Sequence, residues 1–374
     1  MTTTAPTARR IGPFNGGDVR LMGLTLAATI GAAVAHYAGA GAIVPFVVAA
    51  VSLALLATLV GRSVEALGER LGSGATGILQ SALGNLPELL ILGFALHSGL
   101  VNVVHTALVG SILANLLLIL GAAFVAGGIK HGTQRFGKGQ ARMLSVMMLL
   151  SVAALLVPSL TSVLHTPAAA HEGALSVAVS VLLLIIFVLS LPFALRNKDH
   201  IPEAPSADAN ETAAPVEEHG APWPLAVAVV VLAVTGVLAA VASDWFVSAL
   251  EPAIHAMNIT DGFAGLVIVA IAGNAVENVV GIQLMLKNRP DYALAVILQS
   301  PLQIALVVAP LLVLASYFIA ATPLTLVFPP LLIAVLAMGT LVTVVVVDDG
   351  ESNWLEGSIL IGLYCMIATA FWWG

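Results

Sequence analysis

Two short segments carry residue types that could do chemistry. Gly84-Asn85-Leu86-Pro87-Glu88 recurs 189 residues later as Gly273-Asn274-Ala275-Val276-Glu277. In each copy the Asn stands three residues before the Glu, which on a helix puts an amide oxygen and a carboxylate on one face, a turn apart. The glycines Gly84 and Gly273 invite a helix break that frees backbone carbonyls. The same offset carries Ser111 onto Ser300. Asn115 lies one turn beyond Ser111, and Gln303 lies a turn beyond Ser300. Glu88, Glu277, Asn85 and Asn274 are therefore the candidate ligands, and hard oxygens in that number suit Ca²⁺, which takes about six to eight. Ser111, Asn115, Ser300 and Gln303 would line the site, although hydrogen bonding between membrane helices uses the same residue types.

The elements that position these residues follow from composition. Of 374 residues, 59% are hydrophobic and 9% charged, and the mean hydropathy is +1.05. A soluble domain of this length needs far more charge on its surface, so the chain reads as an all-α integral membrane protein in a lipid bilayer. The net charge of −7 sits in short loops and one linker and does not point to nucleic acid. The lone Cys365 falls in an apolar run and reads as a small buried hydrophobe. Stretches long enough to cross a bilayer fall near 21–39, 42–60, 74–97, 103–127, 141–157, 172–195, 223–247, 261–286, 291–317, 322–347 and 354–373, which predicts eleven transmembrane helices. The first run is long for a signal peptide and is taken as an uncleaved span.

Lysine and arginine test that count. With the N-terminus in the cytoplasm, all 13 of them, from Arg9 to Arg289, fall on the cytoplasmic side, as the positive-inside rule requires. The C-terminus is then extracytoplasmic and the cell membrane is the expected location. The chain divides into a tail with an extra first helix (1–41), a five-helix repeat (42–195), an acidic cytoplasmic linker (196–222) and a second five-helix repeat (223–374). An odd number of spans per repeat forces the two copies to run in opposite directions, and substrate sites in such folds form at the repeat interface near the midplane. The linker reads as a solvated tether.

A carboxylate in the hydrocarbon region needs a partner, a watery cavity or a proton. No Lys or Arg lies at the depth of Glu88 or Glu277, which leaves a proton or a bound cation. Two neighbouring carboxylates resist double ionisation, so protons compete with a divalent cation for them. One site with two exclusive occupants is the minimum for antiport by alternating access.

The paired motifs, the stretch Gly110-Ser111-Ile112-Leu113-Ala114-Asn115, the run Gln303-Ile304-Ala305-Leu306 and the closing Asp349-Gly350-Glu351-Ser352-Asn353-Trp354-Leu355-Glu356-Gly357 resemble the cation/proton exchangers of the Ca²⁺/cation antiporter superfamily. That resemblance spans essentially the whole chain. It implies exchange of cytosolic Ca²⁺ for external H⁺, eleven spans, and the two glutamates as a shared Ca²⁺ and proton site, with Ca²⁺ and H⁺ as transported substrates and no cofactor. The sequence departs from the pattern at Asn278, where His is usual, and at Pro301 and Leu302, where small hydroxyl residues are usual. The linker is also richer in Pro and Ala than its acidic counterpart in relatives.

Other residues were weighed against plainer roles. His97 and His105 read as packing groups near outer helix ends rather than pH sensors. Asp244, Glu251 and Asp261 cluster on the outer side, where they would steer cations, and a solvated rim explains them equally well. Glu65, Glu69, Asp348, Asp349, Glu351 and Glu356 are candidates for a cytoplasmic access vestibule. An intramembrane enzyme would want paired histidines at helical spacing or a Ser/Lys pair, and neither occurs. Inverted repeats argue against a passive channel. Within transporters the alternatives are Na⁺, K⁺ or Mn²⁺ exchanged for H⁺, and Na⁺ exchanged for Ca²⁺.

Overall fold

The computed structural model describes residues 14–71, 83–196 and 223–373, with backbone alone at 69, 71, 192–196 and 275–278. The linker and the stretch before Leu83 lie outside the described residues, as do the side chains of Glu69, Glu277 and Asn278. The chain is helical almost throughout. In order come α1 (Gly16–Tyr37), α2 (Ile43–Leu71), α3 (Leu86–His97), α4 (Val101–His131), α5 (Lys138–Val163), α6 (Glu172–Arg196), α7 (Leu225–Met257), α8 (Asp261–Gly273), α9 (Ala275–Leu286), α10 (Pro290–Ile319), α11 (Pro330–Val347) and α12 (Trp354–Trp372).

Among the described residues nine helices are long and apolar enough to cross a membrane, and α3 and α8 are shorter apolar helices. The expected span 261–286 is thus two helices meeting at Asn274. The expected span 322–347 begins as a helix only at Pro330, because residues 320–329 form no helix. Pro323 and Pro329 disfavour a helix there. Hydroxyls from neighbouring helices satisfy part of the backbone of this stretch. Leu324, Leu326 and Phe328 point inward, and their N–H groups donate to the hydroxyls of Ser316, Ser176 and Ser159 at 2.8, 2.9 and 2.9 Å. His105 clips the same stretch through the carbonyl of Thr325, and His97 meets the last carbonyl of α10, that of Ile319, each at 2.8 Å. Both carry the packing role expected of them.

The packing is reciprocal. α2 lies along α7, and α5 along α11. α4 packs on α12 as α10 packs on α6, and α4 meets α9 as α10 meets α3. α4 and α10 are the innermost, 83% and 67% buried over their most apolar windows, against 50% or less for the other seven long helices. α1 stands outside this exchange, strapped to α2 by the Thr29–Ser52 hydroxyl pair at 2.9 Å. At its start, the Asp18 carboxylate accepts from Arg62 Nε at 3.2 Å and Trp223 Nε1 at 3.0 Å.

Four of the acidic vestibule candidates, Glu65, Asp349, Glu351 and Glu356, have local partners. Glu65 pairs with Arg62 at 2.8 Å and Glu351 with Arg135 at 3.2 Å. The second pair bridges a two-stranded sheet, β1 (Gln134–Arg135) against β2 (Glu351–Ser352). Asp349 accepts from the Glu351 N–H, and Glu356 closes a capping box with Asn353 at the start of α12. Asp244, Glu251 and Asp261 are exposed, as a solvated rim would be. Cys365, expected to be buried, is exposed on α12; an apolar run on a peripheral membrane helix faces outward as readily as inward.

Candidate functional site

Both motifs build the same local structure. Each Asn flanks a helix in nearly identical backbone conformation, Asn85 at φ −96°, ψ 19° and Asn274 at φ −104°, ψ 23°. In the first copy the break takes in both Gly84 and Asn85, and in the second it falls at Asn274. Gly273 ends α8, and Gly84 is a half-buried turn residue. Pro87 takes the second position of α3, where its missing N–H costs nothing, so it starts a helix instead of kinking one. Glu88 is the third residue of α3, and Glu277 holds the same place in α9. Both therefore sit in a first turn, where the helix dipole and unpaired N–H groups favour a negative charge.

The two copies meet. Glu88 is 2% exposed, and a methyl group at Gly273 would rest 3.4 Å from its Cγ. Glycine at 273 therefore lets the second break close directly over the first carboxylate. Around this contact the amides form two clusters. Asn85 Nδ2 donates to Gln303 Oε1 at 2.8 Å. On the other side Asn274 Oδ1 accepts from Asn115 Nδ2 at 3.0 Å and from the Ser300 hydroxyl at 3.2 Å, while its own Nδ2 donates to Ala270 O at 2.9 Å. Asn115 Nδ2 also donates to Ser111 O at 2.9 Å, which fixes the flip of that amide.

The Asn274 oxygen, expected as a ligand, is thus already engaged by two donors. Asn115 Oδ1 and the Ser111 hydroxyl are buried and have no hydrogen-bond partner among the described residues. Both lie on α4, in or beside its contact with Asn274. Both are hard donors of the type Ca²⁺ takes.

Sequence reasoning missed the π turns. Ala114–Ile119 in α4, Ala264–Val269 in α8 and Ile304–Val308 in α10 are wound with one extra residue per turn. The first contains Asn115, and the last follows Gln303. Such turns cluster at functional sites, yet no residue pattern announces one. A partial signal was present in Gly110 and Gly265. A Cβ at Gly110 would lie 2.5 Å from Leu266 Cα, and one at Gly265 would lie 2.7 Å from Val103 O, so α4 and α8 cross backbone to backbone. Small residues at such crossings are the common means of close approach in membranes.

A family model described as sodium/calcium exchanger protein matches residues 41–196 and 227–373. The chain belongs to the sodium/calcium exchanger family. It is an integral membrane protein of an ion-exchanger family. It is 34% identical over 337 residues to the Ca²⁺/H⁺ antiporter of Aphanothece halophytica, covering 87% of this chain and 89% of that one. It is also 34% identical to the Ca²⁺/H⁺ antiporter ChaA of Bacillus subtilis (strain 168), over 87% of this chain and 91% of the relative. Among solved structures, the exchanger is similar to native YfkE, with a TM-score of 0.78, 30% identity and coverage of 95% and 100%. The structure of the H⁺/Ca²⁺ exchanger CAX shares the fold at a TM-score of 0.71 and 12% identity, over 94% of this chain and 91% of that one.

Proposed function

We propose that this exchanger moves cytosolic Ca²⁺ outward in return for external H⁺, with Glu88 and Glu277 as the shared cation and proton site. The observation that carries this reading is the contact of Glu88 with Gly273: a buried carboxylate in one motif lies against the break that opens the other. A divalent cation between two helix N-termini would be neutralised by two carboxylates. In its absence protons perform the same neutralisation, since two such groups cannot both stay ionised without a counter-charge. Relatives named Ca²⁺/H⁺ antiporter support the choice of substrates.

The two separate family matches and the reciprocal helix packing support two inverted five-helix repeats after one extra helix, eleven spans in all. In the proposed orientation, with the N-terminus cytoplasmic in the cell membrane, Arg62, Lys130 and Lys287 face the cytoplasm. Alternating access then exposes one midplane site to each side in turn.

The test is Ca²⁺ flux in proteoliposomes under an imposed pH gradient, with Na⁺, K⁺ or Mn²⁺ as competitors. Proton-driven Ca²⁺ uptake is expected. Uptake driven by a Na⁺ gradient and indifferent to pH would replace the reading with Na⁺/Ca²⁺ exchange, and absence of flux for every cation would remove it.

A further inference from the structure

Each π turn passes over one backbone carbonyl. In α4 the N–H of Leu120 donates to Asn115 O and Leu117 O, skipping Leu116, its usual partner four residues back. In α8 the N–H of Ala270 donates to Gly265 O and Val267 O, skipping Leu266. In α10 the N–H of Ala309 donates to Ile304 O, skipping Ala305. All three skipped residues are fully buried or nearly so, at 0% exposure, and a buried carbonyl without a donor is costly.

Two of the three are met by a hydroxyl from a different helix. The Thr343 hydroxyl of α11 lies 3.2 Å from Leu116 O, its one proton shared with Gly339 O at 2.9 Å. The Tyr364 hydroxyl of α12 donates to Leu266 O at 3.4 Å. The approach of α11 is built for this purpose. Gly339, one turn before Thr343, lies so close that a Cβ there would overlap Leu113 and touch Leu117 at 3.4 Å, on either side of Leu116. The third carbonyl differs. Its donor one residue further along would be Pro310, which has no N–H, and among the described residues no hydroxyl reaches it. On α5, which packs there, the Ser151 hydroxyl turns back to its own Met147 O at 2.7 Å.

We infer that Thr343 and Tyr364 are positioning residues for cation binding: by meeting the carbonyls that the π turns of α4 and α8 skip, they hold the Asn115–Asn274 amide pair in register. Asn115 precedes Leu116 directly, and Asn274 follows α8. Neither hydroxyl touches the cation, and both act through the turn they brace. The inference rests on the exchange reading proposed above.

The experiment compares Thr343→Val, Tyr364→Phe, their combination and Thr343→Ser with the parent chain in the same proteoliposomes. Each single loss is expected to raise the Ca²⁺ concentration for half-maximal exchange about threefold, the weight of one hydrogen bond between membrane helices, and the pair about eightfold. The maximal rate should stay near the parent's, Mn²⁺ should compete better, and Thr343→Ser should restore parent behaviour. A parent that exchanges Ca²⁺ for protons, beside folded Val and Phe variants with unchanged half-saturation and competition, overturns the bracing role alone. A fall in maximal rate without a change in half-saturation, or failure of Thr343→Ser to restore the parent value, also overturns it in favour of a general packing role. A parent without proton-driven flux removes both readings.

Discussion

The two Gly-Asn-x-x-Glu breaks share a backbone but not a neighbourhood. Asn274 is a hub: its oxygen takes donors from α4 and α10 while its nitrogen returns to α8, and the turns on either side are met by Thr343 and Tyr364. Among the described residues Asn85 makes a single side-chain bond, to Gln303, which opens a π turn whose skipped carbonyl meets no described donor. Similar motifs therefore need not have similar stiffness. In a site that must bind, release and rebind from the other side, a rigid half can fix selectivity while a looser half yields. The surroundings assign those parts, since the motifs themselves are nearly interchangeable.

The largest effect tests whether the halves are unequal at the carboxylates too. Glu88→Gln and Glu277→Gln should each cut proton-driven Ca²⁺ exchange by roughly a hundredfold or more, because one remaining carboxylate neither neutralises a divalent cation nor keeps the proton competition. Equal losses would place the asymmetry outside the carboxylates. Exchange that survived either substitution would end the shared-site proposal.

A step down in size, Gly110→Ala should cost roughly 1–3 kcal/mol of stability as the new methyl pushes α8 away from α4, read as a lower Tm in detergent. At the asparagines the comparison is direct. Asn274→Ala removes two hydrogen bonds to other helices and leaves Asn115 Nδ2 one acceptor short, which at about 0.6 kcal/mol per bond between membrane helices should raise half-saturating Ca²⁺ by roughly eightfold. Asn85→Ala should raise it about threefold. Equal shifts would mean that the unequal bonding has no bearing on binding.

How much of this was legible beforehand depended on whether the signal was periodic. Membrane helices announce themselves by length and hydropathy, and the 189-residue offset from Glu88 to Glu277 is readable because identical residue types recur. Break positions were less legible: Gly84 and Gly273 stand out as permissive residues, yet Gly84 shares its turn with Asn85 and the second turn falls at Asn274, and each Asn side chain bonds across an interface. Residues 322–329 read as part of a span because apolar content does not distinguish a helix from an irregular segment with three N–H groups met by Ser159, Ser176 and Ser316. The π turns lay beyond reading, since their cause is tertiary. A skipped carbonyl at Leu116 is stable because Thr343, 227 residues away, supplies a proton. Nothing within one turn of Leu116 encodes that.

The smallest effect probes the serines that the repeat offset makes equivalent. Ser300 donates to Asn274 Oδ1 at 3.2 Å, whereas the Ser111 hydroxyl has no described partner. Ser300→Ala therefore weakens the hub, leaving Asn115 as the one remaining donor to that oxygen. About 0.6 kcal/mol of stability should go, with half-saturating Ca²⁺ raised about threefold in step. Ser111→Ala has no side-chain bond to lose among the described residues. Its Tm should stay within error of the parent's, and any change in exchange must come from the oxygen it offered to the cation. A pair of measurements on each variant, Tm and half-saturation, thus separates the roles: both move together at Ser300, and only the second moves at Ser111. Should Ser111→Ala lower Tm as far as Ser300→Ala, the hydroxyl has a structural partner and the two halves are more alike than their hydrogen bonds imply.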